Sequence, residues 1–312
     1  MRSLSSKTMS SKTIMLFALL LEVIASLGAQ VPGSDQPKLR KEMLVTTEWL
    51  AAHLHDPDLV VLSVGATPEF YSKGHIPGAR QILLSEIAVT RDGIPNELPS
   101  TEKLQAVFAA AGVSNSSRIV LYGERYNLLA ARAYFTLDYL GVAERASLLD
   151  GGIDKWQAEQ RQLSHEAVNA KPVKLTIAPH PAILVDTQAM RKFAEQKVAL
   201  IDARPAREFT GEQLSEDVQK AGHIPGASSL YWMDMLISRE NPVLRREAEL
   251  RQMYAQAHAV AGQPLVTYCR TGMQSSFDYF VAKYLGYEPS MYDASFYEWS
   301  LKDLPAETSP KK

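Results

Sequence analysis

The sequence lacks several features that common functions require. It has a single cysteine, Cys269, among 312 residues, which excludes an internal disulfide and a zinc cluster built on thiolates. A formal net charge of -2 provides no bulk attraction to nucleic acid, so no nucleic-acid partner is expected. With 46% hydrophobic and 22% charged residues, the chain is typical of globular proteins and long enough for two domains.

The chain also lacks an apolar run of the roughly 20 residues that span a bilayer. At its start, three basic residues precede an apolar run at 14–21, which Glu22 interrupts, and small residues follow up to Ala29. This order predicts a signal peptide at 1–29 and a protein that is periplasmic or secreted, with no stable membrane insertion after cleavage. The alternative, an uncleaved anchor, is disfavoured by the length of the run.

Two copies of one pattern fill the rest of the chain. The hexapeptide Gly-His-Ile-Pro-Gly-Ala at 74–79 recurs letter for letter at 222–227. Tyr-Leu-Gly follows in both copies, at 139–141 and 284–286, and an aspartate stands six residues before a tryptophan in both. The chain is therefore a tandem duplication of a unit of roughly 120 residues, a usual domain size.

Each copy alternates short apolar runs with stretches of helical period, such as 47–54 and 187–194, where a threonine can cap the first turn. This alternation predicts an α/β fold in which each domain has a mainly parallel central sheet with helices on both faces. We expect the first domain at 43–160 and the second at 182–304. The segment 161–181 lacks clear periodicity and contains three prolines, so it is predicted to be the linker.

Cys269 stands between a predicted strand at 265–268 and a predicted helix at 275–284. In a parallel α/β domain, ligands bind at this carboxyl edge of the sheet. The start of a helix favours a thiolate and binds anions, and Arg270 adds positive charge. Gly272 lets the loop adopt positive φ, so that successive N–H groups can turn towards one point. The alternative is that Cys269 is a small apolar core residue, which is common for lone cysteines.

Both halves resemble rhodanese domains, and the whole chain resembles a tandem-domain thiosulfate sulfurtransferase from about 43 to 301. The resemblance depends on the two Gly-His-Ile-Pro-Gly-Ala turns, the Tyr-Cys-Arg-x-Gly loop at 268–272 and the Tyr-Asp-Ala-Ser segment at 292–295. It implies that Cys269 attacks the outer sulfur of thiosulfate and carries it as a persulfide to cyanide or a thiol, with no metal or cofactor. Gly123 occupies the place of Cys269 in the first domain, which the resemblance implies is inactive.

The resemblance also implies the roles of individual residues. Cys269 is the catalytic residue, and substrate binding falls to Arg270, Thr271, Gly272, Met273, Gln274, Ser275 and Ser295. Ser295 matches the family serine whose hydroxyl contacts the persulfide. Met273 and Gln274 depart from the valine and threonine of some members, which removes one hydroxyl. Asp202 and Arg204 are candidates for supporting the loop, and the alternative for them is an ordinary surface ion pair.

Three other functions remain open or are disfavoured. Relatives that prefer 3-mercaptopyruvate tend to have Cys-Gly-Ser-Gly in the loop and an arginine immediately before the second-domain aromatic, whereas Arg270 and Glu208 occupy those places here. A phosphatase or arsenate reductase would need an arginine where Ser275 stands. A sulfur carrier or binding module without turnover stays possible, and the physiological donor, the acceptor and the oligomeric state are open.

Overall fold

The computed structural model describes residues 36–196, 198–215, 217–302 and 304–309. The predicted signal peptide at 1–29 lies outside these residues. From Pro37 onward the chain forms one compact unit. Within the described part, no helix has the length and apolar character needed to cross a membrane.

The first half is built on a five-stranded parallel sheet with the strand order β1-β7-β6-β2-β3. Its strands are β1 (Leu44–Val45), β2 (Leu59–Gly65), β3 (Arg80–Leu83), β6 (Arg118–Gly123) and β7 (Ala146–Leu149). All seven residues of β2 are buried, because this interior strand is covered on both faces. Strands β4 (Val89–Arg91) and β5 (Ile94–Glu97) form a separate antiparallel hairpin.

Helices cover both faces of this sheet. They are α1 (Thr47–His53), α2 (Pro68–Ser72), α3 (Leu84–Ile87), α4 (Thr101–Ala110), α5 (Glu124–Tyr139) and α6 (Gly152–Ala158). Along β2, Val60 and Leu62 pack into one hydrophobic cluster, whereas Leu59 and Val61 pack into another. Since successive strand residues point to opposite faces, the two clusters lie on opposite sides of the sheet.

The second half repeats this plan with a four-stranded parallel sheet in the order β11-β10-β8-β9. The strands are β8 (Ala199–Asp202), β9 (Ser228–Ser229), β10 (Leu265–Tyr268) and β11 (Pro289–Met291). The helices are α7 (Thr187–Glu195), α8 (Ala206–Thr210), α9 (Glu247–Gln256), α10 (Met273–Tyr284) and α11 (Ser295–Leu301). The predicted α/β fold with two tandem domains of mainly parallel sheet is therefore confirmed.

The two Gly-His-Ile-Pro turns make matching contacts. The hydroxyl of Tyr122 accepts the N–H of Ile76 at 3.1 Å, and that of Tyr268 accepts the N–H of Ile224 at 3.2 Å. The histidine rings stack with centroids 3.7 Å apart on an aromatic side chain, His75 on Tyr71 and His223 on Phe209. These contacts make both histidines structural residues of the turn.

The predicted threonine caps differ in detail. Thr46, one residue before the predicted start, caps α1 by accepting the N–H of Trp49, and Asp186 caps α7 by accepting the N–H of Ala189. Thr187 is the first helical residue, and its hydroxyl donates to Glu298 at 2.6 Å. The N-cap needs extended backbone, which the preceding residue supplies in both helices.

Helices α5 and α10 join the two halves through aromatic contacts. Tyr134 meets Phe280, and Phe135 meets Tyr279, in T-shaped pairs with centroids 4.9 and 5.0 Å apart. One hydrophobic cluster contains buried residues of both halves. Because α10 follows the loop of Cys269, this packing brings the first domain next to that loop.

Candidate active site

Cys269 follows β10 directly, at the carboxyl edge of the second sheet, and only 1% of its surface is exposed. Helix α10 begins at Met273, two residues before the predicted start, so the loop at 269–272 is shorter than expected. The first N–H groups of a helix have no partner within it, and the aligned peptide dipoles make that end positive. The sulfur therefore lies beside a region suited to an anion.

A serine from the neighbouring segment fixes the shape of the loop. The Ser295 hydroxyl accepts the N–H groups of Cys269 and Gly272, both at 3.1 Å, and donates to the carbonyl of Tyr292 at 2.8 Å. The N–H of Phe296 in turn donates to the carbonyl of Cys269 at 3.0 Å. The Ser295 hydroxyl thus has three partners in the main chain and holds both ends of the loop.

A second serine contacts the sulfur itself, and this is Ser275. It donates to Cys269 Sγ at 3.6 Å, and Ser275 is fully buried. Gln274 itself has a buried side-chain oxygen without a hydrogen-bond partner, and Met273 packs against the core.

Gly272 occupies a position that no other residue fits. Its φ of +80° is in the left-handed region, and a Cβ there would lie 2.2 Å from Asp293 Oδ1 and 2.7 Å from the Asp293 carbonyl oxygen. The loop and the segment of Asp293 are therefore in direct contact.

Asp202 and Arg204 are buried, with 0% and 1% of their surfaces exposed, so the alternative of a surface ion pair is wrong. Arg204 donates to both carboxylate oxygens of Asp202 and to the carbonyl of Gly222 at 2.8 Å. Its guanidinium lies 4.2 Å from the ring centroid of Phe296, whose N–H holds Cys269. Burial opposes the charge of Arg204, but Asp202 raises its pKa above the ordinary value.

Arg270 points to a carboxylate. Its guanidinium bonds to Glu208, which is 3% exposed, while the Arg270 side chain is 33% exposed. The sequence alone predicts that Arg270 adds positive charge beside the sulfur. In the folded chain Glu208 neutralises part of that charge.

The first domain contributes two residues that sequence reasoning missed. Arg132 on α5 donates to both oxygens of Asp293 at 2.5 and 3.0 Å, and also to the carbonyl of Asn96. The Asn96 amide donates to the Thr271 hydroxyl at 2.9 Å. Arg132 is fully buried, and a buried charge needs a partner. Because the residues around it in the sequence are mostly apolar, a lone arginine there indicates a buried ion pair. Asn96 gave no comparable signal.

Near these residues a cleft of about 410 Å³ is lined by both domains, including Glu97, Leu184 and Asp293. Burial and the negative charge of Asp293 raise the pKa of Glu97 to about 7, and Arg132 opposes the shift.

The corresponding loop of the first domain is closed. A Cβ on Gly123 would lie 2.8 Å from both the Val64 carbonyl oxygen and the Ala130 nitrogen, so a cysteine side chain has no room there. The Asn127 side chain accepts the N–H of Gly123 at 3.0 Å and donates to the carbonyl of Leu149 at 2.6 Å. Residues 125–127, which include Asn127 itself, all have left-handed backbone conformations.

Comparison with known proteins agrees with this geometry. The family described as "Rhodanese-like domain" matches residues 46–159 and 186–302. The chain belongs to the rhodanese family, with two such domains in tandem.

Curated relatives and a solved structure cover most of the chain. The sulfur carrier protein TtuD of Thermus thermophilus is 33% identical over 276 residues, which cover 83% of this chain and 93% of that protein. A Mycobacterium bovis protein named "Putative thiosulfate sulfurtransferase 1" is 30% identical over 86% of this chain and 98% of its own. The 3-mercaptopyruvate sulfurtransferase structure of SseA from Escherichia coli aligns with a TM-score of 0.72 and 26% identity, covering 80% of this chain and 97% of that one. The rhodanese domains place the chain in the sulfurtransferase superfamily.

Proposed function

We propose that the protein is a thiosulfate sulfurtransferase, which moves sulfane sulfur from thiosulfate to cyanide or a thiol through a persulfide on Cys269. The observation that carries the proposal is the position of the Cys269 sulfur at the start of α10, beside the Ser275 hydroxyl at 3.6 Å. A thiolate in this place has a positive helix end and a hydroxyl donor to stabilise it. The mycobacterial relative supports thiosulfate as the donor by its name.

The chemistry is two displacements at sulfur. The Cys269 thiolate forms a bond to the outer sulfur of thiosulfate while the bond between the two thiosulfate sulfurs breaks, and the electron pair of that bond leaves with sulfite. The acceptor then bonds to the outer sulfur, and the electron pair of the broken sulfur–sulfur bond returns to Cys269. Both steps change the negative charge on one buried sulfur atom. The site therefore stabilises the reaction mainly through fixed N–H and O–H donors.

Two other functions within the family have specific support. The neighbouring structure of SseA favours 3-mercaptopyruvate as an alternative donor. The name of TtuD favours a carrier that is loaded with sulfur and passes it to another protein. Arg270 beside the cysteine argues for thiosulfate, because two fixed negative charges require a cation nearby, although Glu208 shares that cation.

The test is mass spectrometry of the purified protein after thiosulfate, with Cys269→Ser alongside. The wild type should gain the mass of one sulfur atom, and the variant should gain nothing. A gain that survives in the variant, or no gain in the wild type, would overturn the mechanism. Ser238→Ala serves as a control for a substitution in an exposed loop, and should load as the wild type does.

Turnover separates the alternatives. Catalytic formation of thiocyanate from thiosulfate and cyanide supports the enzyme, whereas a stoichiometric burst supports a carrier. Comparing kcat/KM for thiosulfate and 3-mercaptopyruvate decides the donor.

We also propose that the protein is exported, on the basis of the first 29 residues alone. Amino-terminal sequencing of the mature protein tests this, and a chain that still begins at Met1 would contradict cleavage.

A further inference from the structure

Asp278 is a buried acid that the proposed reaction does not use. It lies on α10 one turn after Ser275, with 0% of its surface exposed. Residues three apart on a helix share a face, so Asp278 and Ser275 both face the region of Cys269. Neither carboxyl oxygen of Asp278 has a hydrogen-bond partner among the described residues.

The ionisable groups around Asp278 are themselves acids. Cys269 has the largest charge effect on it, followed by Asp202 and Asp234, and the Tyr254 hydroxyl donates to its main-chain carbonyl. Asp202 has its own cation in Arg204, and Arg245 acts on Asp234. Burial first, and then the charge of Cys269, raise the pKa of Asp278 well above its usual range.

Asp138 shows that the same helix can satisfy a buried carboxylate. It is 6% exposed and accepts from the Tyr279 hydroxyl and the Lys283 ammonium, both at 2.6 Å. Both of these donors lie on α10, as Asp278 does. An unpaired buried carboxylate is strongly destabilised relative to its neutral form, so a group left without donors retains its proton.

We propose that Asp278, on the face of α10 that carries Ser275, is a positioning residue that remains protonated, so that the cysteine sulfur alone carries negative charge during sulfur transfer. This inference rests on the proposed function, because it concerns the same persulfide. Two negative charges in one buried region repel each other, so a charge on Asp278 would oppose the charge on the Cys269 sulfur.

The role follows from the charge changes in the reaction. Thiosulfate brings two negative charges to Cys269, and the acceptor step returns one to its sulfur. A neutral Asp278 neither gains nor loses a proton in either step. An ionised Asp278 would oppose both steps by repulsion across a region of low dielectric constant.

The first test compares the pH dependence of sulfur uptake in the wild type and in Asp278→Asn, which keeps the shape and removes the ionisation. In the wild type, the uptake rate should decline at high pH, by about tenfold per unit of pH once Asp278 ionises. In Asp278→Asn the decline should be absent, and at lower pH the two rates should agree within a few fold. Asp138→Asn is the matched control, and should keep the decline.

The second test uses the wild-type fold and does not require Asp278→Asn to fold. At about pH 8, above the pKa values of Glu97 and Asp150, infrared spectroscopy should show a protonated carboxyl C=O band. Cys269→Ser should shift this band, because the charge of Cys269 acts on Asp278. The band should be unaffected by Glu97→Gln.

The outcomes separate the two proposals. If Cys269 takes up no sulfur, the proposed function fails. If Cys269 takes up sulfur but Asp278→Asn retains the decline at high pH, or the wild type shows no protonated carboxyl, the role of Asp278 is overturned while the persulfide stands.

Discussion

Ser295 and Gly152 hold the same left-handed backbone conformation, with φ of +56° and +57°, at equivalent positions of the two domains. In the second domain the hydroxyl of Ser295 reaches across to the cysteine loop. In the first domain the glycine leaves space for Asn127, whose Oδ1 lies 2.6 Å from where a Cβ would stand. Each domain satisfies the N–H at the start of its loop, but only the second leaves room for a sulfur atom.

Replacing Ser295 should impair both the fold and the loading of sulfur. Ser295→Ala leaves the buried N–H groups of Cys269 and Gly272 unpaired, at about 1–3 kcal/mol for each. Ser295→Gly loses the same bonds but relieves the left-handed strain, so its loss should be smaller by about 1 kcal/mol. Urea unfolding measures both losses.

Ser300→Ala is the matched control on the same helix. Its hydroxyl accepts the N–H of Gln219 at 3.1 Å and donates to the carbonyl of Tyr297 at 2.9 Å, and neither partner belongs to the cysteine loop. It should lose stability while loading sulfur at the wild-type rate. Wild-type loading in Ser295→Ala would show that the hydroxyl does not shape the loop.

Alanine substitutions at Gly272 and Gly226 separate the cost of left-handed backbone strain from the cost of steric overlap. Both have φ near +80°, but the nearest atom to a Cβ on Gly226 is 3.9 Å away, while a Cβ on Gly272 would overlap Asp293. Gly226→Ala should cost about 1–2 kcal/mol from the left-handed conformation alone. Gly272→Ala should cost more and abolish sulfur loading, because the loop must move off Asp293. Equal unfolding free energies for the two variants would contradict this account.

The parts of the structure that depend on local patterns were predictable from sequence. The strand before Cys269, the duplicated turns and the parallel sheets follow from apolar periodicity and from an exact repeat, which require no knowledge of distant contacts. The sequence pattern predicts the start of α10 two residues late, because it assigns Met273 and Gln274 to the loop, whereas the helix begins at Met273, directly after the left-handed Gly272.

The contacts between domains were not predictable in the same way. Nothing in the sequence near Asn96 indicates that its side chain bonds to Thr271, 175 positions later. The partial neutralisation of Arg270 by Glu208 also depends on how α8 packs against the loop. Such pairs arise from tertiary packing, which periodicity does not encode.

The ion pair of Arg132 and Asp293 should be worth far more than a surface pair. Arg132→Leu leaves Asp293 as an unpaired charge beside Gly272, at a cost of about 3–5 kcal/mol in the free energy of unfolding. Adding Asp293→Asn should recover part of that loss. Arg145→Leu removes a half-exposed pair with Asp58 and should cost less than about 1 kcal/mol. Similar losses for Arg132→Leu and Arg145→Leu would contradict the buried role of Arg132.

Glu97 should make the stability depend on pH in a defined direction. Burial and Asp293 raise its folded pKa to about 7 from the ordinary 4.5. Between these values the folded state keeps a proton that the unfolded state has lost, so the Glu97 contribution falls as pH rises from about 4.5 to about 7 and is level above that. In Glu97→Gln this decline should be absent, and the variant should be relatively more stable than the wild type at high pH.

Glu102 provides the opposite case for comparison, since hydrogen bonds from its own main chain and from Ser100 lower the pKa of that exposed carboxyl. A lowered folded pKa contributes stability that is present above the unfolded pKa and is lost as pH falls. Urea unfolding gives the free energy of unfolding of Glu97→Gln and Glu102→Gln across the acid range. The difference of this free energy from the wild-type value should change with pH in opposite directions for the two variants. Parallel deviations would mean that Glu97 ionises as an ordinary surface carboxylate, and that the cleft beside Asp293 is open to water.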